Sequence, residues 1–164
     1  LKRYPSLELK LLVIGEAPQK KDERYLESLK TLANKEIKSQ KIHFLGRKDN
    51  FPSYMKAADI FLHTTKIPEA FGLVIAEAMK QNTLVIGTSQ GGSSDILIDQ
   101  KTGYSFDSTS ARAAQDLTRI LNKVIQTDNS LLIANAKELI DKKYSIKEMI
   151  SNLEREFELI LSSS

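Results

Sequence analysis

No cysteine occurs among the 164 residues, which excludes disulfides, thiolate metal sites and a cysteine nucleophile. Histidine is almost as scarce. The two copies, His43 and His63, do not make a structural zinc site without thiolates to complete it. Long apolar runs are missing too: no stretch approaches the roughly twenty residues that a membrane-spanning helix needs, and no secretory leader pattern opens the chain. Nor does charge of one sign prevail. There are 24 basic and 21 acidic residues, a net charge of +3 and a pI near 9.0. The basic residues are scattered, with short pairs at Lys20-Lys21 and Lys142-Lys143, which reads as solvated surface and not as a nucleic-acid footprint. Repeats and low-complexity tracts are lacking apart from the terminal serines. A cytoplasmic setting is the default expectation.

What is present fits a soluble globular chain, with 41% hydrophobic and 27% charged residues, and the length suits one domain spanning 1–164. Short apolar strands alternate with helical patterns. "LELKLLVIG" ending at Gly15, "KIHFLG" (Lys41 to Gly46), "DIFLHT" (Asp59 to Thr64) and "TLVIGT" (Thr83 to Thr88) read as strands, and "TGYSF" (Thr102 to Phe106) as a weaker last one. Between them, Leu26, Leu29, Ala33 and Ile37 recur at helical spacing, and "FPSYMKAA" makes a short helix with proline in its first turn. Such alternation predicts the α/β class, a doubly wound parallel sheet covered on both faces. The last third, 109–164, is expected to be helical. Ala114, Leu117, Leu121, Val124 and Ile125 share one face, Leu132, Ala136, Leu139 and Ile140 a second, and Ile146, Met149, Ile150, Leu153, Phe157, Ile160 and Leu161 a third. These helices should pack on the sheet, or in part on a partner domain.

"IPEAFGLVIAEAMK" (Ile67 to Lys80) joins two of the strands and carries Glu69 and Glu77 in a nearly apolar surround. A helix beginning near Ala70 or Phe71 would leave free N–H groups from Phe71 to Val74, at the strand edge where open α/β sheets bind ligands. Gly72 would let a phosphate approach the backbone. Eight helical residues span about 12 Å, more than the roughly 5–9.5 Å between glycosidase carboxyls. The two acids therefore suit hydroxyls on either side of a bound phosphate better than the two sides of one bond. A plainer reading stays open, with Glu69 favouring the helix dipole and Glu77 pairing with Lys80 on an exposed edge. For His63, satisfaction of local backbone groups is preferred over ligand contact, and His43 reads as structural. Gly91-Gly92 is either an anion cradle or a turn needing positive φ. Asp95 either caps a short helix or faces a donor, Arg47 meets a base, a phosphate or a salt-bridge partner, and Lys66 is surface close to the motif.

The same stretch resembles the E-x7-E motif of the family 4 glycosyltransferases, retaining enzymes of the GT-B fold. "LKLLVIGEAP" is similar to their strand ending in G-x-G-P, and "IHFLGR" to V-x-F-L-G-R. "YMKAADIFLHT" is similar to the segment leading into the motif, "SQGGSSDILIDQKTGYSF" to GG-x-x-E-I-V followed by T-G, and "KKYSIKEMI" to the tail before the final helix. The resemblance implies a C-terminal domain that binds a nucleoside diphosphate sugar. Glu69 would contact the donor sugar at the reacting centre, and Glu77 the ribose. Phe71, Gly72, Leu73 and Val74 would hold the pyrophosphate through their amides, Gly15 would line the phosphate side, and Gly46 and Arg47 would lie near the base. No metal or other cofactor is implied, because helix dipole and basic side chains stabilise the leaving diphosphate.

Some residues depart from the family pattern. Ala17 replaces the second glycine of G-x-G, Asp95 a glutamate, Asn82-Thr83-Leu84 the usual G-x-P, and Ile146 a tryptophan. The family's earlier strand ending in G-R, the lysine after it and the acceptor-binding N-terminal domain have no counterpart here. The resemblance thus implies a piece lacking the first strand of its domain and inactive alone, with any membrane association made through the missing domain. A nucleotide-binding module without catalysis, and a phosphate-binding α/β protein unrelated to sugars, are the rival readings.

Overall fold

The computed structural model describes residues 9–17, 19–36 and 41–162. Leu7 and Glu8 of the first expected strand, Pro18 of its motif, Ile37 of the first helical stripe, the side chain of Lys21, and Ser163 and Ser164 lie outside the described residues. The chain divides into two compact units, Leu1–Phe51 and Pro52–Ser164.

In the first unit β1 (Leu11–Ile14), α1 (Lys20–Glu36) and β2 (Ile42–Gly46) form one strand–helix–strand unit. β1 and β2 pair in parallel, with a register shift between Val13 and Ile14 that sets Ile14 opposite Gly46. Just past the strands, the Gly15 N–H donates to the Gly46 carbonyl at 3.0 Å. His43 sits half-buried within β2, as a structural histidine would.

The second unit carries the main core. β3 (Ile60–His63), β4 (Leu84–Gly87) and β5 (Tyr104–Ser105) form a parallel sheet with β4 in the middle. All four β4 residues are buried, which is why that strand is continuously apolar and does not alternate. Leu84 and Ile86 join Tyr104, Ile120 and Val124 in one cluster, flanked by Ile60, Leu62 and Phe106. The Tyr104 hydroxyl leaves this cluster to donate to Asn129 Oδ1 at 3.0 Å, so the ring is buried without stranding its polar end. Thr102 closes the turn before β5: its Oγ1 donates to the Ile96 carbonyl at 2.6 Å and accepts the Ile98 N–H at 2.8 Å. Among the described residues the five strands thus lie in two parallel sheets, one in each unit, and the chain is α/β as expected.

α2 (Phe51–Ala57), α3 (Leu73–Lys80), α4 (Ala113–Gln126), α5 (Ser130–Lys143) and α6 (Ile146–Ser162) complete the order, with α3 packed against both α5 and β4. Two helical stripes differ from expectation. On α4 the covered face runs through Ile120 and Val124, while Ala114 is exposed. On α6 no residue is buried: Ile146, Met149, Ile150, Leu153 and Phe157 are all exposed. Its apolar stripe is real, but it does not pack on the sheet. None of the described helices is long and apolar enough to cross a membrane.

Candidate functional site

The segment from Thr64 to Gly72 leaves the carboxyl end of β3 and enters α3. It is pinned mainly through its backbone. Ser108 Oγ donates to the Thr65 carbonyl at 2.5 Å, and Thr65 Oγ1 accepts the Ile67 N–H at 3.1 Å. Glu69 is held most firmly: its N–H donates to the Gln90 carbonyl at 3.2 Å, and its carbonyl accepts the Gly92 N–H at 2.8 Å. Glu69 and Gly91 thereby form an isolated parallel bridge.

This contact explains Gly91-Gly92. A Cβ on Gly91 would lie 2.5 Å from the Glu69 carbonyl oxygen, and one on Gly92 only 1.9 Å from that of Ala70. The pair is a close-approach device that fastens the Glu69 backbone, and Gly91, with φ at 71°, also makes the positive-φ turn expected of it. Behind it, residues Gly92–Asp95 form a 3-10 turn in which buried Ser93 donates to the Gln90 carbonyl at 2.8 Å. Ser93 does the closing, while Asp95 stays exposed. Nearby, Asp107 accepts from the Thr109 hydroxyl at 2.6 Å and the Thr109 N–H at 2.8 Å. Those two bonds hold its carboxyl below the ordinary aspartate range.

α3 begins at Leu73, two to three residues later than the sequence suggests. Gly72 is the cause: its φ of 88° and ψ of 50° are left-handed and cannot continue into a right-handed helix. Glu69 is therefore not helical, and a spacing computed along one helix does not apply to the two acids. The Ile75 and Ala76 N–H groups both donate to the Gly72 carbonyl, at 3.0 and 3.1 Å. Among the described residues, the N–H groups of Leu73 and Val74 are left without a backbone acceptor or side-chain cap. They are the free amides of the helix tip; Phe71 and Gly72 precede the helix, and their N–H groups likewise have no backbone acceptor among the described residues.

α3 sorts its faces cleanly. Ile75, Ala76, Ala78 and Met79 are buried, while Leu73, Glu77 and Lys80 are exposed. Exposure removes the desolvation cost that Glu77 would otherwise carry. No ion pair joins Glu77 to Lys80 among the described residues, so the plain surface pairing is not realised. Phe71, by contrast, is occupied: its ring meets Tyr144 at 5.2 Å between centroids. Both rings line a groove of about 470 Å³ with Met149 and Leu153 of α6.

His63 departs from its expected role. Its side chain faces the carboxylate of Glu69, Nε2 to Oε1 3.4 Å, and does not satisfy backbone groups. The other ring nitrogen is buried and has no hydrogen-bond partner among the described residues.

In the first unit, Gly15 and Gly46 end their strands at φ values of 140° and 66°. Arg47 follows them, an exposed side chain 3.4 Å from Glu16 and 3.7 Å from Asp49. Surface pairs of this kind contribute little and leave the guanidinium easily redirected. Lys20 and Lys66 are exposed, in keeping with solvated surface. Among the described residues, no group of three or more His, Asp or Glu side chains is arranged to hold a metal ion.

Known proteins resemble this chain in sequence and in fold. The family model described as "Glycosyl transferases group 1" matches residues 1–139. The chain is 27% identical over 153 residues to N-acetyl-alpha-D-glucosaminyl L-malate synthase of Bacillus anthracis, covering 90% of this chain and 37% of that protein. It is 28% identical over 152 residues to lipopolysaccharide 1,2-N-acetylglucosaminetransferase of Salmonella typhimurium, covering 90% of this chain and 39% of that protein. The chain thus spans about two fifths of the length of these relatives. Among solved structures, the C-terminal domain of a glycosyl transferase group 1 family protein (LpcC) from Francisella tularensis superposes with a TM-score of 0.77 at 28% identity, covering 89% of this chain and 74% of that one. Anabaena HepE in complex with UDP superposes with a TM-score of 0.79 at 23% identity, covering 95% of this chain and 41% of that one, a likeness of fold. With the family model matching residues 1–139, most of its length, the chain belongs to the group 1 glycosyl transferases.

Proposed function

We infer that this chain is the donor-binding part of a retaining glycosyltransferase that moves a sugar from a nucleoside diphosphate to an acceptor hydroxyl. The observation that carries the reading is the helix tip. Two free amides, Leu73 and Val74, lie between a glutamate fastened by its backbone and another whose exposed carboxylate has no ion-pair partner among the described residues. Amides at a helix start attract a diphosphate, and they favour the charge that gathers on it as the sugar departs. Carboxylates accept strongly from hydroxyls, so Glu69 suits the sugar and Glu77 the ribose.

By the family resemblance Gly15 would line the phosphate side, and Gly46 and Arg47 the base; within the first unit they stand at the carboxyl ends of their own strands. The solved relative that holds UDP lends weight to a uridine nucleotide. No metal is called for on this reading, since the backbone amides at the start of α3 favour the charge on the leaving diphosphate. The retaining course rests on the family resemblance. Neither glutamate need act as a base, and their work is orientation.

Titration calorimetry with UDP, GDP and inorganic phosphate, each with and without EDTA, tests the inference. At least one nucleoside diphosphate should bind about tenfold or more tighter than phosphate, and EDTA should change nothing. Equal affinity for phosphate and for both nucleotides would favour the rival phosphate-binding protein. A longer natural chain that binds the nucleotide sugar yet turns none over with any acceptor would favour the module without catalysis.

A further inference from the structure

His63 is the one histidine in the second unit, and a contact with Glu69 was not expected of it. Its side chain is nearly closed off, 12% exposed, whereas that of Glu69 is 37% exposed. Both partners are fixed through their backbones. The His63 carbonyl accepts the Thr88 N–H at 3.0 Å, and Glu69 is clasped by Gln90 and Gly92. Phe61, two positions earlier on β3, stacks on the imidazole at 27° between ring planes. What the backbone leaves undetermined is the rotamer of the Glu69 carboxylate. Nε2 of His63 stands 3.4 Å from Glu69 Oε1, beyond ordinary hydrogen-bond length, a separation that such pairs shorten once a site is filled.

We propose that His63 is a positioning residue: an imidazole whose Nε2–H aims the Glu69 carboxylate at its ligand hydroxyl. The tautomer follows from the surroundings. A neutral ring carries one N–H. On Nε2 it faces an acceptor, whereas on Nδ1 it would face none among the described residues and would turn a lone pair toward the carboxylate. The second oxygen of Glu69 is left to accept from a ligand. In this role the imidazole exchanges no proton with substrate.

The aiming role rests on the nucleotide-sugar reading, but the tautomer does not, and the two can fail separately. Nitrogen-15 spectra of the histidine rings in the wild-type chain should show His63 protonated on Nε2, and Glu69→Gln should shift those signals. A ring protonated on Nδ1, or one indifferent to Glu69→Gln, overturns the proposal whether or not any nucleotide binds. With UDP and UDP-glucose as ligands, His63→Leu should cut the affinity gained from the sugar about tenfold and leave UDP binding unchanged. His63→Gln, whose amide nitrogen can stand near the Nε2 position, should restore most of the loss. Equal loss for UDP and UDP-glucose in both variants would mean a merely structural histidine and would contradict the proposal.

Discussion

Gly92→Ala is expected to lower the melting temperature by roughly 4–10 °C and to abolish nucleotide-sugar binding at concentrations that saturate the wild type. The added methyl would stand 1.9 Å from the Ala70 carbonyl oxygen and 3.1 Å from the Phe71 Cα. Those are backbone atoms, so no side-chain rotation relieves the clash. The 69–71 segment must move away, and moving it breaks the 2.8 Å bond from the Gly92 N–H to the Glu69 carbonyl. The loop leads straight into Gly72, so Glu69 and the α3 tip are displaced together. Overpacking of this kind costs about 1–3 kcal/mol, sometimes more, and a misplacement near 1 Å is enough to cost about two orders of magnitude in a positioned site. Thermal melts and calorimetry on the same preparation check both halves. Wild-type melting together with wild-type binding would show that the glycine does not pin the loop.

Glu77→Ala should behave in the opposite way, with binding lost and stability kept. The carboxylate is exposed and makes no ion pair among the described residues, so its removal should change stability by no more than about 0.5 kcal/mol. A carboxylate accepting from ribose hydroxyls contributes about 1.5–3 kcal/mol, which corresponds to roughly a tenfold to hundredfold weaker nucleoside diphosphate. Inorganic phosphate, which has no ribose, should bind as before. Parallel weakening of phosphate and nucleotide would place Glu77 in general electrostatics, and no weakening at all would leave it as surface.

Features of the chain were legible in the sequence to the extent that they are local. The apolar runs ending at Gly15, Gly46, Thr64 and Thr88 marked the strand ends to within one residue, and the run of β4 does not alternate because all four of its residues are buried. That α3 is a helix was legible from its apolar run, but its inward face was not: Ile75, Ala76, Ala78 and Met79 are buried, while Leu73 is exposed. The start of α3 was misjudged by two to three residues, because a glycine within an apolar run gives no sign of whether it continues a helix or blocks it. Contacts between distant segments left no local trace. The grip of Gly91-Gly92 on Glu69, the pairing of His63 with Glu69 and that of Phe71 with Tyr144 all depend on which strand ends the fold sets side by side. The stripe on α6 was read correctly as apolar, but periodicity cannot say what covers it, and in this chain it lies open.

The backbone amides of Leu73 and Val74 offer the most direct measurement. In proton–nitrogen spectra of the chain titrated with UDP, these two signals should move among the farthest and saturate together, at concentrations where inorganic phosphate moves them little. If both stay still while UDP binds elsewhere, the start of α3 does not hold the diphosphate and the central claim fails.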